Sequence, residues 1–370
     1  MASHLITGLD IGSSKIKILI VKREKNGKLE LISKAEENGD GIRRGIVIDV
    51  ERVSQLLKNL FSKISKETGR NIGSVYVNIN GSHLFSLPSR GLISVSRADQ
   101  KISEEDIQRV FQAAQAINLS SNQEIFDAIG KEFIIDGQKG IKEPLGLNGV
   151  RLEAEVLALG GFSPYLKNLS QAILKSDLGI LDLVPSPIAA ARACLTERQK
   201  ELGVCLLDIG AGTIGLAVFE EGNLIHLAIL PIGSANITND IAIGLKTDID
   251  IAERVKIEYG SCLFKGKNIR QKIDIGEEEP LVFSQKFLTK IIEARASEIF
   301  TEANKELKKI SKEKLLPVGI VLTGGGAKLP KIKELAKNKF HLPVHLGKPK
   351  GILKLEDDMS LAAVAGLVLM

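Results

Sequence analysis

The sequence predicts an α/β protein of two related halves, each a mixed sheet with flanking helices and each interrupted by a smaller inserted segment. Three observations predict it. Two hairpins half a chain apart, residues 8–21 (GLDIGSSKIKILIV) and 206–219 (LLDIGAGTIGLAVF), repeat one pattern: Asp10 aligns with Asp208, Gly12 with Gly210 and Lys15 with Thr213. Each is followed by a third strand-like run and an amphipathic helix. Late in the chain, a buried-strand pattern over 318–323 ends in three successive glycines, Gly324, Gly325 and Gly326, before another helix.

Length and composition agree. A chain of 370 residues is long for one core, so two or more domains are expected. Apolar residues at 44% with aromatics at 4% and no Trp make that core aliphatic. The 50 basic and 45 acidic residues nearly balance, and no basic stripe is interleaved with aromatics, which argues against nucleic acid as a partner. The densest basic run, 305–314, alternates with acids as a solvated helix face does. Cys194, Cys205 and Cys262 are odd in number, far apart and without zinc spacing, as expected of a reducing, cytoplasmic compartment. His341 and His345 have helical ligand spacing, but Pro343 between them opposes a helix. No charged leader precedes an apolar run at the start. No run reaches the ~18 apolar residues of a membrane span, and the closing LAAVAGLVLM reads as a packed core helix.

In chain order, the first hairpin leads past the turn at Gly27 to a third strand over 29–35. GIRRGIVIDVERV follows, then a helix over 53–68 with Leu56, Leu57, Leu60, Phe61 and Ile64 on one face, and a strand over 75–80. This β-β-β-α-β order is that of a ribonuclease-H-like sheet. Over 85–159 the pattern breaks into short strands near 132–136 and 151–159 and a helix over 104–117. A Gly/Pro-rich loop, GQKGIKEPLGLNG, is expected to be a mobile hairpin. A helix over 165–176, a strand over 180–184 and a helix opening with Pro187 resume the first pattern. The second half runs through the central hairpin, a strand over 224–231 and helices over 235–245 and 249–259. Weak strands near Ile273 and Val282 come next, then a long helix over 285–310, the strand over 318–323 and a helix over 331–340. The expected division is 1–84 with 160–200 and 346–370 as first core, 85–159 as its insert, 201–246 with 313–345 as second core, and 247–312 as the second insert.

The hairpin turns have phosphate chemistry. Phosphate oxygens need closely packed backbone N–H donors and residues without bulk at the approach. Ser13, Ser14 and Lys15 on one side, and Ala211, Gly212 and Thr213 on the other, supply them. Asp10 and Asp208 flank the phosphates and hold Mg²⁺ through water, since Mg²⁺ keeps much of its shell. Lys15 serves as a point charge on an outer phosphate. The three glycines let a flat ligand lie against backbone.

These residues resemble the actin-like ATPases, which include actin, heat-shock chaperones and sugar kinases. DIGSSKIK looks like their first phosphate motif, DIGAGTIGLAVF the second, and LTGGGAKLP, with Lys328, the adenosine motif. In the chaperone branch an acid and a lysine three residues apart on a helix hold the adenosine, and AERVKIEYG places Glu253 and Lys256 at that spacing. Within this superfamily the chain is most similar to the FtsA cell-division family, on GIRRGIVIDVERV, NINGSHLFSLPSRG, the turn ending in Gly233 with NDIAIGLKTDIDIAERVKIEYG, IIEARASEIF and LAAVAGLVL. The resemblance runs from residue 5 to the last. It implies an actin-like two-domain ATPase fold with a duplicated core and two small inserted subdomains, ATP and Mg²⁺ in the cleft, and actin-like filaments of the chain itself. It also implies attachment of the FtsZ ring to the inner face of the cell membrane at the division site. The carboxy-terminal tail of FtsZ is expected on the second insert, with Arg295 facing it, and other division proteins on the 85–159 insert.

Departures from the family pattern carry expectations too. Chains of this family continue through a linker to an amphipathic membrane-binding helix, whereas this sequence stops at Met370, so membrane contact through a tail is not expected of the residues given. Ala211 stands where Gly is common, and Ile214–Gly215 replaces a frequent Thr-Asp. Ser186 occupies the place where active relatives carry an acid that orients water, which implies slow hydrolysis. A sugar-kinase-like phosphotransferase would need a carboxylate base that the sequence does not offer. The remaining alternative is a PilM-like cytosolic adaptor of type IV pilus assembly, whose first hairpin is equally similar.

Overall fold

A computed structural model describes residues 5–274, 276 and 280–370. The chain opens with β1 (Leu5–Ile11), β2 (Lys15–Arg23) and β3 (Leu29–Asn38), then the minimal hairpin β4 (Ile42–Arg43) and β5 (Ile46–Val47). Helix α1 (Val50–Thr68) and β6 (Ser74–Ile79) follow. Asp49 caps α1 by accepting from the Arg52 N–H, and Gly69 ends it in the left-handed conformation. Val53, Leu57, Leu60, Phe61 and Ile64 recur at helical spacing and are buried against the sheet. Each contributes up to ~1.5–3 kcal/mol of burial.

Strand β7 (Phe85–Ser94), α2 (Glu104–Gln115), β8 (Gln123–Ile135), β9 (Gln138–Ile141) and β10 (Arg151–Phe162) form a sheet of their own, ordered β7-β10-β8-β9, with α2 on one face. The chain returns through α3 (Ser163–Leu174), β11 (Gly179–Pro185), α4 (Ser186–Cys194) and α5 (Glu197–Leu202). The second half has β12 (Val204–Ile209), β13 (Ile214–Glu220), β14 (Asn223–Leu230), α6 (Ser234–Leu245), α7 (Ile249–Tyr259), β15 (Arg270–Ile273), β16 (Leu281–Ser284) and α8 (Gln285–Lys309). It closes with β17 (Gly319–Thr323), α9 (Ile332–Phe340), β18 (Val344–Leu346), β19 (Ile352–Leu353) and α10 (Ala362–Val368).

The duplication appears in the sheets. One is ordered β11-β6-β1-β2-β3 with β19 added at its edge, the other β18-β17-β12-β13-β14. In both, the first three strands are antiparallel and the next two parallel. Their outer faces pack on α1 and α3 in one half and on α6, α8 and α9 in the other. Their inner faces, with Ile6, Leu19, Leu206 and Val321, share one apolar cluster with Ala190 and Ala191 of α4 and Val364, Ala365 and Val368 of α10. The halves therefore meet on two small-residue helices, crossed so closely that a Cβ on Gly366 would overlap the Ala189 carbonyl oxygen.

Two differences from the sequence reading concern the first insert. Strand β7 was not anticipated, because Pro88 and Gly91 interrupt its pattern. It is an edge strand, where Pro is tolerated, and Gly91 admits the backbone of α2. The 137–149 loop, expected to be mobile, is tied down: β9 pairs with β8, Gly140 N–H donates to Glu132 (2.9 Å) and Gly149 N–H to the Gln100 carbonyl (2.9 Å). This insert also touches the opposite half, where Ser86 Oγ donates to the Leu227 carbonyl (3.1 Å) and accepts from the Leu227 N–H (3.3 Å) on edge strand β14. In the second half, residues of α7, β15, β16 and α8 share one core with β12, β13 and β17. The three cysteines are free and buried.

Candidate functional site

The two repeated turns close in the same way. Gly12 N–H donates to the Lys15 carbonyl (3.2 Å) and Gly210 N–H to the Thr213 carbonyl (2.9 Å). They face one another between the halves, since a Cβ on Gly212 would lie 2.8 Å from Ser13 Oγ. The second turn is fixed by the start of α6, whose Ser234 and Ala235 N–H groups donate to the Gly210 and Ala211 carbonyls (both 2.9 Å). Gly233 precedes that helix and packs on Ala211. Ser14 accepts from the Gly39 N–H through its carbonyl (2.9 Å).

Behind the turns sit the two acids. Asp10 is buried and accepts from Asn78 Nδ2 (2.6 Å), which also reaches Ser186 Oγ (2.9 Å), while Asn78 Oδ1 receives the Ile11 N–H (2.6 Å). Burial raises the Asp10 carboxyl, and Lys17, its direct partner in the β1–β2 register, draws it down. Asp208 is pushed up to about 7 by burial and by the charge of Asp10, with Lys17 opposing. Two carboxylates that resist ionisation together, with the charge of a single lysine acting on both, suit a divalent cation. Asp10 and Asp208 are the residues that could hold Mg²⁺ through its water shell.

The glycine turn lies against these acids. Gly324 has φ +85°, and any Cβ there would overlap the Asp208 carboxylate. Gly326 packs on Ile209 and Ser234, whereas Gly325 has open space before Ser360. On the next helix, Lys256 Nζ is buried, bonded to Glu253 Oε2 (2.6 Å), Thr238 Oγ1 (2.8 Å) and the Ser234 carbonyl (3.4 Å). Glu253 and Lys256 are thus fixed beside the helix start that supports the second turn. Lys328 instead reaches Asp358 (2.7 Å), which caps the turn before α10, and Gly324 N–H donates to the Met359 carbonyl (3.2 Å).

The structure brings both turns, both acids, the glycine turn and the Glu253–Lys256 pair into one run of contacts, from Ser13 against Gly212 through Asp208 against Gly324 to Ser234 against Lys256. The lysine whose charge reaches both acids is one that the sequence reading did not single out. Lys15 pairs with Glu36 on β3, and the charge near Asp10 and Asp208 is that of Lys17, held to the Ser360 carbonyl (2.5 Å). Arg295, expected to face a partner, makes a bidentate pair with Asp240 (2.6 and 2.9 Å) and a further bond to Glu298 (2.5 Å). Asn78, Thr238 and Lys17 were missed. A polar residue inside VYVNIN was the available signal for Asn78, and strand register the signal for Lys17, since Asp10 and Lys17 stand directly opposite. Gly215, which replaces a frequent Asp, has a packing reason: a Cβ there would overlap the Pro187 ring.

Comparisons with known proteins agree with this geometry. A family model described as cell division protein FtsA matches residues 205–366, and one described as the SHS2 domain inserted in FtsA matches residues 81–159. The chain is 37% identical to the cell division protein FtsA of Pseudomonas aeruginosa over 360 residues, covering 96% of this chain and 86% of that relative. It is 33% identical to that of Bacillus subtilis (95% and 80% covered) and 30% identical to that of Escherichia coli (95% and 86%). Among solved structures, a PilM–PilN type IV pilus biogenesis complex superposes with a TM-score of 0.70 at 18% identity, covering 98% of this chain and 97% of that one. MreB5 of Spiroplasma citri bound to ADP superposes at 0.59 and 14% (98% and 94%). These likenesses establish the actin-like fold, and no helix among the described residues is long and apolar enough to cross a membrane. By sequence, by its inserted domain and by fold, the chain belongs to the FtsA family of actin-like bacterial cell-division proteins.

Proposed function

We propose that the cleft binds Mg·ATP as a conformational ligand bridging the two halves, and that the chain assembles into actin-like filaments. In this reading it links the FtsZ ring to the inner face of the cell membrane. The convergence of two phosphate-type turns and a glycine turn on Asp10 and Asp208 carries the nucleotide part. A ligand that touches both halves stabilises the arrangement in which both contacts are made. Ser186 is buried and bonded to Asn78, with a hydroxyl where a water-orienting carboxylate would be needed, which supports slow hydrolysis.

The FtsZ tail is assigned to the surface where α6 meets α8. Ile243 (77% exposed) and Phe287 (46%) are apolar there, and Lys246, Lys286 and Lys290 are exposed around them. Arg295 supports this surface from beneath by tying α8 to Asp240 of α6, so its part is to position the two helices as well as to add charge. The test is a titration of FtsZ carboxy-terminal tail peptide with and without Mg·ATP. Saturable binding that Lys290→Glu and Arg295→Glu weaken is expected. Absence of binding in both conditions would refute the assignment and favour an adaptor of the PilM kind.

A further inference from the structure

The GIRRGIVID run has no part in the site as described so far, yet its hairpin, β4–β5, is strapped across the cleft. Gly45 N–H donates to Ser13 Oγ (2.7 Å), and the Cα of Arg44 abuts Gly212, where a Cβ would lie 3.1 Å away. The hairpin tip therefore touches the first phosphate turn and the second at once. Arg44 is held at φ +50°, a left-handed conformation that disfavours an Arg side chain where Gly or Asn would fit. Beside it is a pocket of about 260 Å³ lined by Ser13, Arg43, Arg44, Gly212, Asn236 and Asn239, with no carboxylate in its wall. Neither arginine forms an ion pair among the described residues, whereas Arg52 on the adjoining helix pairs with Asp40 (2.8 Å). Two unneutralised guanidiniums, amide side chains and a hydroxyl are the groups that bind a phosphoryl oxygen cluster.

We propose that this pocket takes a phosphoryl group, and that Arg43 and Arg44 make the site sensitive to the outermost phosphate. That phosphate is either the end of a bound nucleoside triphosphate or free phosphate beside a diphosphate. The inference rests on the Mg·ATP reading and adds to it the residues that tell tri- from diphosphate. A charge-assisted contact to phosphate is worth ~1.5–3 kcal/mol, or about tenfold and upward in affinity. With the phosphoryl group in place, the hairpin is held to both turns and the cleft stays closed.

The test compares the wild-type chain with Arg43→Ala/Arg44→Gly, in which glycine relieves the left-handed position, and with Arg44→Lys. Each is titrated with a non-hydrolysable Mg·ATP analogue, with Mg·ADP, and with Mg·ADP plus inorganic phosphate. The double variant is expected to lose about tenfold in triphosphate affinity while ADP stays within about twofold, with Arg44→Lys between. If the ligand is free phosphate, adding it tightens ADP binding in wild type and not in the double variant. Retention of the triphosphate preference by a double variant with a wild-type unfolding midpoint overturns the Arg43–Arg44 assignment, as does equal loss of both nucleotides. A wild-type chain that binds neither nucleotide overturns the Mg·ATP reading itself, a different result. Should the double variant unfold, Arg44→Gly alone is read by the same criteria.

Discussion

Asp208→Asn is the substitution whose sign is least intuitive. The Asp208 carboxyl is raised from an ordinary 3.8 to about 7 by burial and by the neighbouring Asp10, with Lys17 opposing. A carboxyl whose folded pKa lies above its unfolded value stabilises the fold below the unfolded value, and that stability is lost as pH rises to the folded one. The loss runs at about 1.4 kcal/mol per pH unit, so it totals roughly 4 kcal/mol between pH 4 and 7 in the absence of a cation. Asparagine keeps the shape and carries no charge to desolvate. Without nucleotide and magnesium, Asp208→Asn should therefore unfold at a higher temperature than wild type at pH 8. Its advantage at pH 8 should exceed that at pH 5 by roughly 3 kcal/mol, or several degrees by scanning calorimetry. A variant less stable than wild type at pH 8, or one whose advantage is the same at both pH values, would show that Asp208 is not held in an electrostatically unfavourable site. Mg·ATP should reverse the order by stabilising wild type and not the variant.

Three further outcomes follow from other contacts. Lys256→Met removes the ammonium shared by Glu253, Thr238 and the Ser234 carbonyl, and should weaken ATP and ADP alike by roughly tenfold. A selective loss of ATP in nucleotide titration would move Lys256 away from the part the two nucleotides share. Ser86→Ala removes the exchange of hydrogen bonds with Leu227 and should cost about 1 kcal/mol. Faster amide exchange at Leu227 is its signature, and unchanged exchange would mean that the insert does not hold β14. Gly215→Ala should destabilise by about 1–3 kcal/mol in denaturant unfolding because of Pro187, and a neutral result would show β13 and α4 free to separate there.

The fold was legible because both halves repeat a local pattern that sterics enforce. An apolar hairpin with a glycine turn has few ways to close, and the two copies close with equivalent hydrogen bonds at Gly12 and Gly210. The backbone parts of the site came with it: turns, acids and glycines occupy fixed places on strands. Side-chain assignments depended on register and on distant neighbours. Lys15 and Lys17 lie two apart on one strand, and only the pairing of Asp10 with Lys17 and of Lys15 with Glu36 on the third strand separates their roles. The Arg295 pairing likewise required knowing that Asp240, 55 residues earlier, lies on the helix against it. Strand β7 was illegible for a related reason: an edge strand tolerates Pro88, so its sequence carries a weaker strand signal than β10, which is paired on both sides.

Calorimetric titration of Mg·ATP into the chain, repeated in excess EDTA and with Asp10→Asn/Asp208→Asn, tests most directly whether the cleft between the halves is a nucleotide site. Saturable binding that weakens without magnesium and is lost in the double variant is the predicted result. No binding under any condition, or binding indifferent to both magnesium and the two acids, would contradict it.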